Sequence, residues 1–207
     1  MKFKTEQEEF WSGDFGNDYV ERNQGDKLLA INISIFSKVL DKTTNVKSII
    51  EFGSNIGMNL KAIKTLLPSI EKIGAIEINK KAVDVLKEQL PQTEVYNASL
   101  LEYEVEKKWD FVLIKGVLIH INPDELKNVY KKIYESSNKY ICIAEYYNPT
   151  PVTINYRGFE NRLFKRDFAG EMLDTYEDLE LVDYGFSYHR DNNFKGDDIT
   201  WFLLKKK

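Results

Sequence analysis

At 207 residues, with 43% apolar and 30% charged side chains, the chain can bury one sizeable core and is short for two domains. A net charge of −4 and a pI near 5.4 argue against a broad nucleic-acid surface, which needs clustered Lys and Arg to displace phosphate counterions. No apolar run approaches bilayer length, the N-terminal stretch lacks a signal-peptide pattern, and the single Cys142 and two histidines leave no disulfide and no zinc-site spacing, so a cytoplasmic, metal-free, single-domain protein without a membrane partner is expected.

Residues 1–25 interleave Phe10, Trp11, Phe15 and Tyr19 with Gly13 and Gly16, a pattern for a broken helical lid. Phe10 and Phe15 suit ligand contact or simple cover of the sheet equally well. Tyr19 and Arg22, three apart and on one helical face, suit a carboxylate. Asp26 can cap the next helix, whose Leu28, Leu29, Ile35, Phe36, Val39 and Leu40 form a core stripe. Strands and helices then alternate: strand 47–53, helix 58–67, strand 73–78, helix 80–89, strand 93–97, strand 110–115, helix 123–136 and strand 139–146. Alternation of this kind predicts a Rossmann-like α/β fold, a mainly parallel sheet with helices on both faces. A helix near 166–175 and a closing antiparallel hairpin, 180–189 with 198–204, bring the predicted total to seven strands.

The stretch 48–60 is the most informative. An apolar strand enters a tight turn, Glu51-x-Gly53-x-Asn55-x-Gly57, and leaves as a helix. Gly53 and Gly57 admit positive φ, and Asn tolerates it best among the other residues. A dinucleotide fingerprint is disfavoured, because counting from Gly53 its second and third glycines fall on Asn55 and Met58. The Glu51 carboxylate before the turn would repel a diphosphate and suits a cationic or hydroxylated ligand. Glu77, near the end of the next strand, stands where an acid accepts both ribose hydroxyls. S-adenosylmethionine, cationic and free of phosphate, fits this chemistry.

In open α/β sheets ligands bind beyond the carboxyl ends of the strands. Ser99 and Leu100 follow the third strand, where they can meet an adenine edge and face, and Lys115 ends the fourth. His120 follows five residues later as a candidate general base, although a lone histidine in an apolar run is as readily an interior residue. Tyr146 ends the fifth strand and is the second candidate. His189 reads as structural. The insertion 146–168 is read as a long irregular loop carrying Tyr147, Tyr156, Arg157, Arg162 and Lys165 in an otherwise acidic chain, a set suited to an anionic, polar, small acceptor.

The turn Glu51-x-Gly53-x-Asn55-x-Gly57, Glu77, the Val-Leu-Ile-His-Ile run at 117–121 and the closing antiparallel pair resemble the class I S-adenosylmethionine-dependent methyltransferases. Segments 10–23, 144–151 and 162–172 are similar to the group associated with pseudaminic acid biosynthesis. Two positions depart from the broader class: Asn55 replaces a middle glycine, and Ser99 stands where an acid commonly binds the adenine amino group. The resemblance implies a seven-stranded sheet and a cofactor site formed by Trp11, Tyr19, Arg22, Glu51, Gly53, Asn55, Gly57, Glu77, Ile78, Ser99, Leu100 and Lys115. It also implies methyl transfer to O or N of a nucleotide-linked or acidic surface-glycan precursor, in a monomer or homodimer. An NAD-dependent sugar-nucleotide enzyme, a methyltransferase of non-glycan metabolites and a non-catalytic cofactor-binding partner stay open as alternatives.

Overall fold

The computed structural model describes residues 3–207; Met1 and Lys2, which open the predicted lid, lie outside the described residues. Strand β1 (Ser48–Phe52) lies inside the sheet, paired in parallel with β2 (Lys72–Ile76) on one side and β4 (Trp109–Lys115) on the other. Beyond β2 lies β3 (Glu94–Tyr96), and beyond β4 lies β5 (Ser137–Glu145), both parallel to their neighbours. Strand β9 (Ile199–Lys206) runs antiparallel to β5 and carries β8 (Leu179–Ser187) at the edge, giving the order β3-β2-β1-β4-β5-β9-β8. Strand order reverses between β1 and β4, which opens a crevice at their carboxyl ends. Because β8 runs with the parallel strands and β9 runs against them, their connecting loop lies at that same carboxyl end.

The side-chain period of two sorts the core onto two faces. Ile50, Phe52, Val112, Ile114, Ile141 and Ile143 meet α6 (Leu126–Ser136) and α7 (Phe168–Thr175) on one face. Ile49, Phe111, Leu113 and Cys142 meet α3 (Asp26–Leu40), α4 (Met58–Leu66) and α5 (Lys80–Gln89) on the other. Strands buried on both faces read as unbroken apolar runs.

Residues 6–22 form two short helices, α1 (Glu6–Ser12) and α2 (Asp14–Arg22), separated by Gly13, over the segment read as a lid. Thr5 and Glu8 form a reciprocal capping box at the start of α1. A small cluster of Val20, Ile56, Met58 and Ala82 seats α2 on the β1–α4 turn.

Two expectations are corrected. The predicted helix 123–136 opens as a 3-10 turn, Pro123–Glu125, capped by Asn122 and running into α6. More consequentially, the insertion 146–168 is not an irregular loop: β6 (Val152–Tyr156) and β7 (Phe159–Lys165) pair as a separate antiparallel hairpin, raising the strand count from seven to nine. Arg157 and Gly158 both take positive φ between the paired Tyr156 and Phe159, the signature of a primed two-residue turn. This hairpin packs on the lid. Phe10 stacks on Phe15 at 4.1 Å and meets Phe159 at 5.1 Å, Arg162 pairs with Glu6 at 2.8 Å, and Gln7 Nε2 donates to the Asn161 carbonyl at 3.0 Å.

Candidate active site

One large cavity occupies the crevice, floored by the strand ends and roofed by α1 and α2. The β1–α4 turn forms its base. Gly53 (φ +76°) and Gly57 (φ +80°) hold left-handed conformations, and a Cβ on Gly53 would fall 2.5 Å from a Val117 methyl. Asn55 takes φ 46° between them. The Gly53 and Ser54 amides donate to the Ile76 carbonyl at 2.9 and 3.1 Å, which fixes the turn against β2. Helix α4 begins at Gly57 without a side-chain cap and without an acid in its first turn. Its leading N–H groups are left for a ligand or solvent.

Glu77 braces this turn from the end of β2. Its Oε2 accepts from the Asn55 amide at 2.8 Å and its Oε1 from the Asn79 amide at 2.7 Å. Burial raises its pKa, and the backbone donors oppose that rise. Glu51 lies beneath the floor, wholly buried and outside the cavity lining, and Asn59 Nδ2 donates to its Oε1 at 2.6 Å. Burial pushes the Glu51 carboxyl up to about 8, against the pull of Asn59 and Lys115. Lys115 lines the cavity; burial lowers its pKa, and the carboxylates of Glu51, Asp197 and Glu145 partly restore it.

His120 sits on a 3-10 turn, Leu118–His120, and is only 7% exposed. Glu145 Oε1 holds the start of that turn by accepting from the Val117 and Leu118 amides, both at 2.9 Å. The His120 ring lies between Trp11, 4.6 Å away, and Tyr156, 5.0 Å away. Its Nδ1 is 2.6 Å from the Arg162 carbonyl oxygen. A carbonyl only accepts, so Nδ1 carries the proton and Nε2 keeps a lone pair. Burial lowers the His120 pKa to about 4, so the ring is neutral near pH 7. Geometry and charge together present a neutral imidazole able to accept a proton.

Of the residues expected to hold a cofactor, Trp11, Tyr19, Gly53, Asn55, Glu77, Ile78, Ser99, Leu100 and Lys115 line this cavity. Glu51, Gly57 and Arg22 do not; Arg22 is exposed and lies over the Phe15 ring at 5.6 Å. Tyr146 is outside the lining; burial raises its pKa, and the charge of Asp197 adds to the rise. The five residues expected to hold an acceptor also lie outside the lining. Tyr147 is exposed and bridges to Arg166, Tyr156 packs on His120, Arg157 lies over the Tyr156 ring, Arg162 pairs with Glu6, and Lys165 lies over the Tyr146 ring. His189 pairs with Asp198 outside the cavity.

Lining residues absent from the sequence reading include Gln7, Glu8, Asn32, Asn59, Asn79 and Asp197. The Thr5-x-x-Glu8 box marks a helix start but not which way Glu8 points. Asp197 reaches the site only because the β8–β9 loop returns to the carboxyl ends of the parallel strands. Polar atoms without partners cluster here: Gln7 Oε1, Trp11 Nε1, Asn55 Oδ1 and Asn59 Oδ1 are buried and unsatisfied. Such atoms call for a polar ligand. With Glu8, Glu77 and Asp197 set against Lys115, the lining favours cationic and hydroxyl-bearing groups over a diphosphate.

No helix among the described residues is long and apolar enough to cross a membrane, and no cluster of three or more metal-ligating side chains occurs among them. No protein-family model matches the chain, and no curated protein matches it in sequence. Solved structures match its fold. A SAM-dependent methyltransferase of Leishmania major superposes with a TM-score of 0.72 at 13% identity, over 98% of this chain and 87% of that one. Magnesium protoporphyrin IX methyltransferase from Synechocystis, solved with bound SAH, gives 0.70 at 12% identity over 97% of each chain. The 1,6-didemethyltoxoflavin-N1-methyltransferase of Burkholderia thailandensis, solved with SAH and its substrate, gives 0.69 at 13% identity over 97% of this chain and 87% of that one. The Rossmann-like fold matches that of these methyltransferases.

Proposed function

We propose that the chain is an S-adenosylmethionine-dependent methyltransferase acting on an oxygen or nitrogen of a small polar acceptor. The observation that carries this is the site's charge pattern: a glycine turn braced by the Glu77 carboxylate, with further carboxylates from Glu8 and Asp197 where a dinucleotide site would present phosphate donors. The unsatisfied atoms of Gln7, Trp11, Asn55 and Asn59 fit the polar groups of such a cofactor. Held by the glycine turn and Glu77, S-adenosylmethionine would supply an electrophilic methyl group for an acceptor lone pair, with a neutral thioether as the leaving group. The acidic lining attracts the cationic cofactor, and its pull weakens once that charge is gone.

His120 Nε2 takes the acceptor's proton while Nδ1–H on the Arg162 carbonyl holds the ring in place. The roof of α1, α2 and the hairpin excludes water, and alignment in a dry site supplies most of the rate. The acceptor we favour is an acidic or nucleotide-linked sugar of surface-glycan assembly. That choice rests on the resemblance to the pseudaminic acid-associated group and on the basic, Tyr-rich hairpin beside the site, with Arg157 near Tyr19 and Tyr156. Because the hairpin's basic residues lie outside the cavity, this reading has the acceptor enter against the hairpin rather than fill the cleft. The test is turnover of S-adenosylmethionine against a panel of acidic sugars, nucleotide-linked sugars and neutral metabolites, read as S-adenosylhomocysteine formed. Turnover only on neutral, non-glycan acceptors would remove the glycan assignment.

A further inference from the structure

We propose that Glu8, on the lid helix, recognises the 6-amino group of the cofactor's base, a role that the strand ends themselves leave unfilled. The inference rests on the nucleoside-cofactor reading above. The strand ends order the site: glycine turn at β1, Glu77 at β2, and Ala98, Ser99 and Leu100 beyond β3. A ribose held at Glu77 places its base about one strand spacing outward, ~4.8 Å, over the β3 end. Ser99 is the polar side chain there, 3% exposed, but its only proton is committed and one of its two lone pairs is taken. Ser99 Oγ accepts from the Leu101 amide at 3.0 Å and gives its proton to Glu8 Oε1.

Glu8 is differently placed. Its Oε2 accepts from the Lys4 and Thr5 amides at 2.7 and 2.8 Å, and its Oε1 takes only the Ser99 hydroxyl. One oxygen therefore keeps a lone pair, on a side chain that is 8% exposed and lines the cavity beside the buried Leu100 and Leu101. An acceptor fixed in an apolar corner demands an N–H donor. Adenine offers one in its exocyclic amine, whereas a 6-oxo purine offers an acceptor that the carboxylate repels. The neighbouring Gln7 supports the same face: it is 4% exposed, its Nε2 is anchored on the Asn161 carbonyl, and its Oε1 points to no donor. Because Glu8 belongs to α1 and grips Ser99 across the chain, base recognition and lid seating become one event.

The test compares wild type, Glu8→Gln and Ser99→Ala by calorimetry with S-adenosylhomocysteine and with S-inosylhomocysteine, whose base carries a 6-oxo group. Gln also satisfies the third helical position of a capping box, so α1 persists, which matched melting temperatures verify. Wild type is expected to favour the adenine ligand about 10- to 100-fold, the range for a hydrogen bond to a charged group. In Glu8→Gln that preference collapses towards unity, because an amide can donate to the 6-oxo group; in Ser99→Ala it persists. Adenine preference retained in Glu8→Gln, or lost in Ser99→Ala alone, overturns the assignment while leaving the cofactor reading intact. Failure of wild type to bind either ligand overturns both.

Discussion

Replacing Glu77 by Gln separates the two tasks its carboxylate is placed to perform. Both oxygens accept backbone N–H groups, from Asn55 at 2.8 Å and Asn79 at 2.7 Å. Gln keeps one carbonyl oxygen and turns an NH2 towards the other amide, leaving a buried donor without an acceptor at a cost of ~1–3 kcal/mol. At roughly 2–4 °C per kcal/mol for a domain of this size, thermal unfolding should fall by several degrees. If the same carboxylate accepts the ribose hydroxyls, loss of its charge should weaken S-adenosylhomocysteine binding by a further ~10-fold or more. Calorimetry with the 2′-deoxy and 3′-deoxy forms of that ligand distinguishes the two effects through a double cycle. Expected is a penalty for the deoxy ligands in wild type that largely disappears in Glu77→Gln. Equal penalties in both proteins would refute ribose recognition while leaving the bracing role; unchanged melting and unchanged affinity would refute both.

His120→Asn can retain a donor to the Arg162 carbonyl but loses the Nε2 acceptor, so with a hydroxyl acceptor kcat should fall ~10²–10⁴-fold while cofactor affinity holds; unaltered kcat removes His120 as the base. With its pKa depressed to about 4, His120 stays neutral from pH 5 upwards, so the wild-type rate should show no acid limb from this residue until pH approaches 4. Burial raises the Glu145 carboxyl to about 7, above its unfolded value, so its contribution to stability is present below about pH 4.5 and is lost as pH rises through 7. Glu145→Gln, which keeps an oxygen for the Val117 and Leu118 amides, should therefore gain in melting temperature relative to wild type between pH 5 and 8; parallel melting curves across that range would contradict the shift. Gly53→Ala combines positive φ with a Cβ 2.5 Å from Val117, and it should lower melting by an amount reflecting more than the ~1–2 kcal/mol of the left-handed backbone alone. Wild-type melting in that variant would show that the turn relaxes freely.

Alternation of apolar strands with helical stripes made the parallel sheet readable, because strands such as 48–52 and 109–115 are buried on both faces and carry no polar alternation to confuse the period. The glycine turn was readable for a local reason: positive φ at Gly53, Asn55 and Gly57 restricts which residues can stand there. The hairpin was not read, since Tyr and Arg at 156–157 look like a solvated loop until Val152, Thr153 and Ile154 are seen to pair with Leu163, Phe164 and Lys165. Among its basic residues Arg162 pairs with Glu6, a partner 156 residues away that no local pattern announces. Glu8 and Asp197 enter the site through tertiary placement of the lid and of the β8–β9 loop, so residue type and spacing did not mark them. Glu51 shows the converse: the residue type suggests contact, but as a buried strand side chain it turns under the floor, where Asn59 hydrogen-bonds it.

The most direct measurement is a calorimetric titration of the purified chain with S-adenosylmethionine, S-adenosylhomocysteine and NAD in parallel. Saturable, stoichiometric binding of the first two, with none of NAD, is the expected result, given a glycine turn braced by carboxylates. Binding of NAD with no response to either sulfur ligand would contradict the methyltransferase reading and restore the dinucleotide alternative.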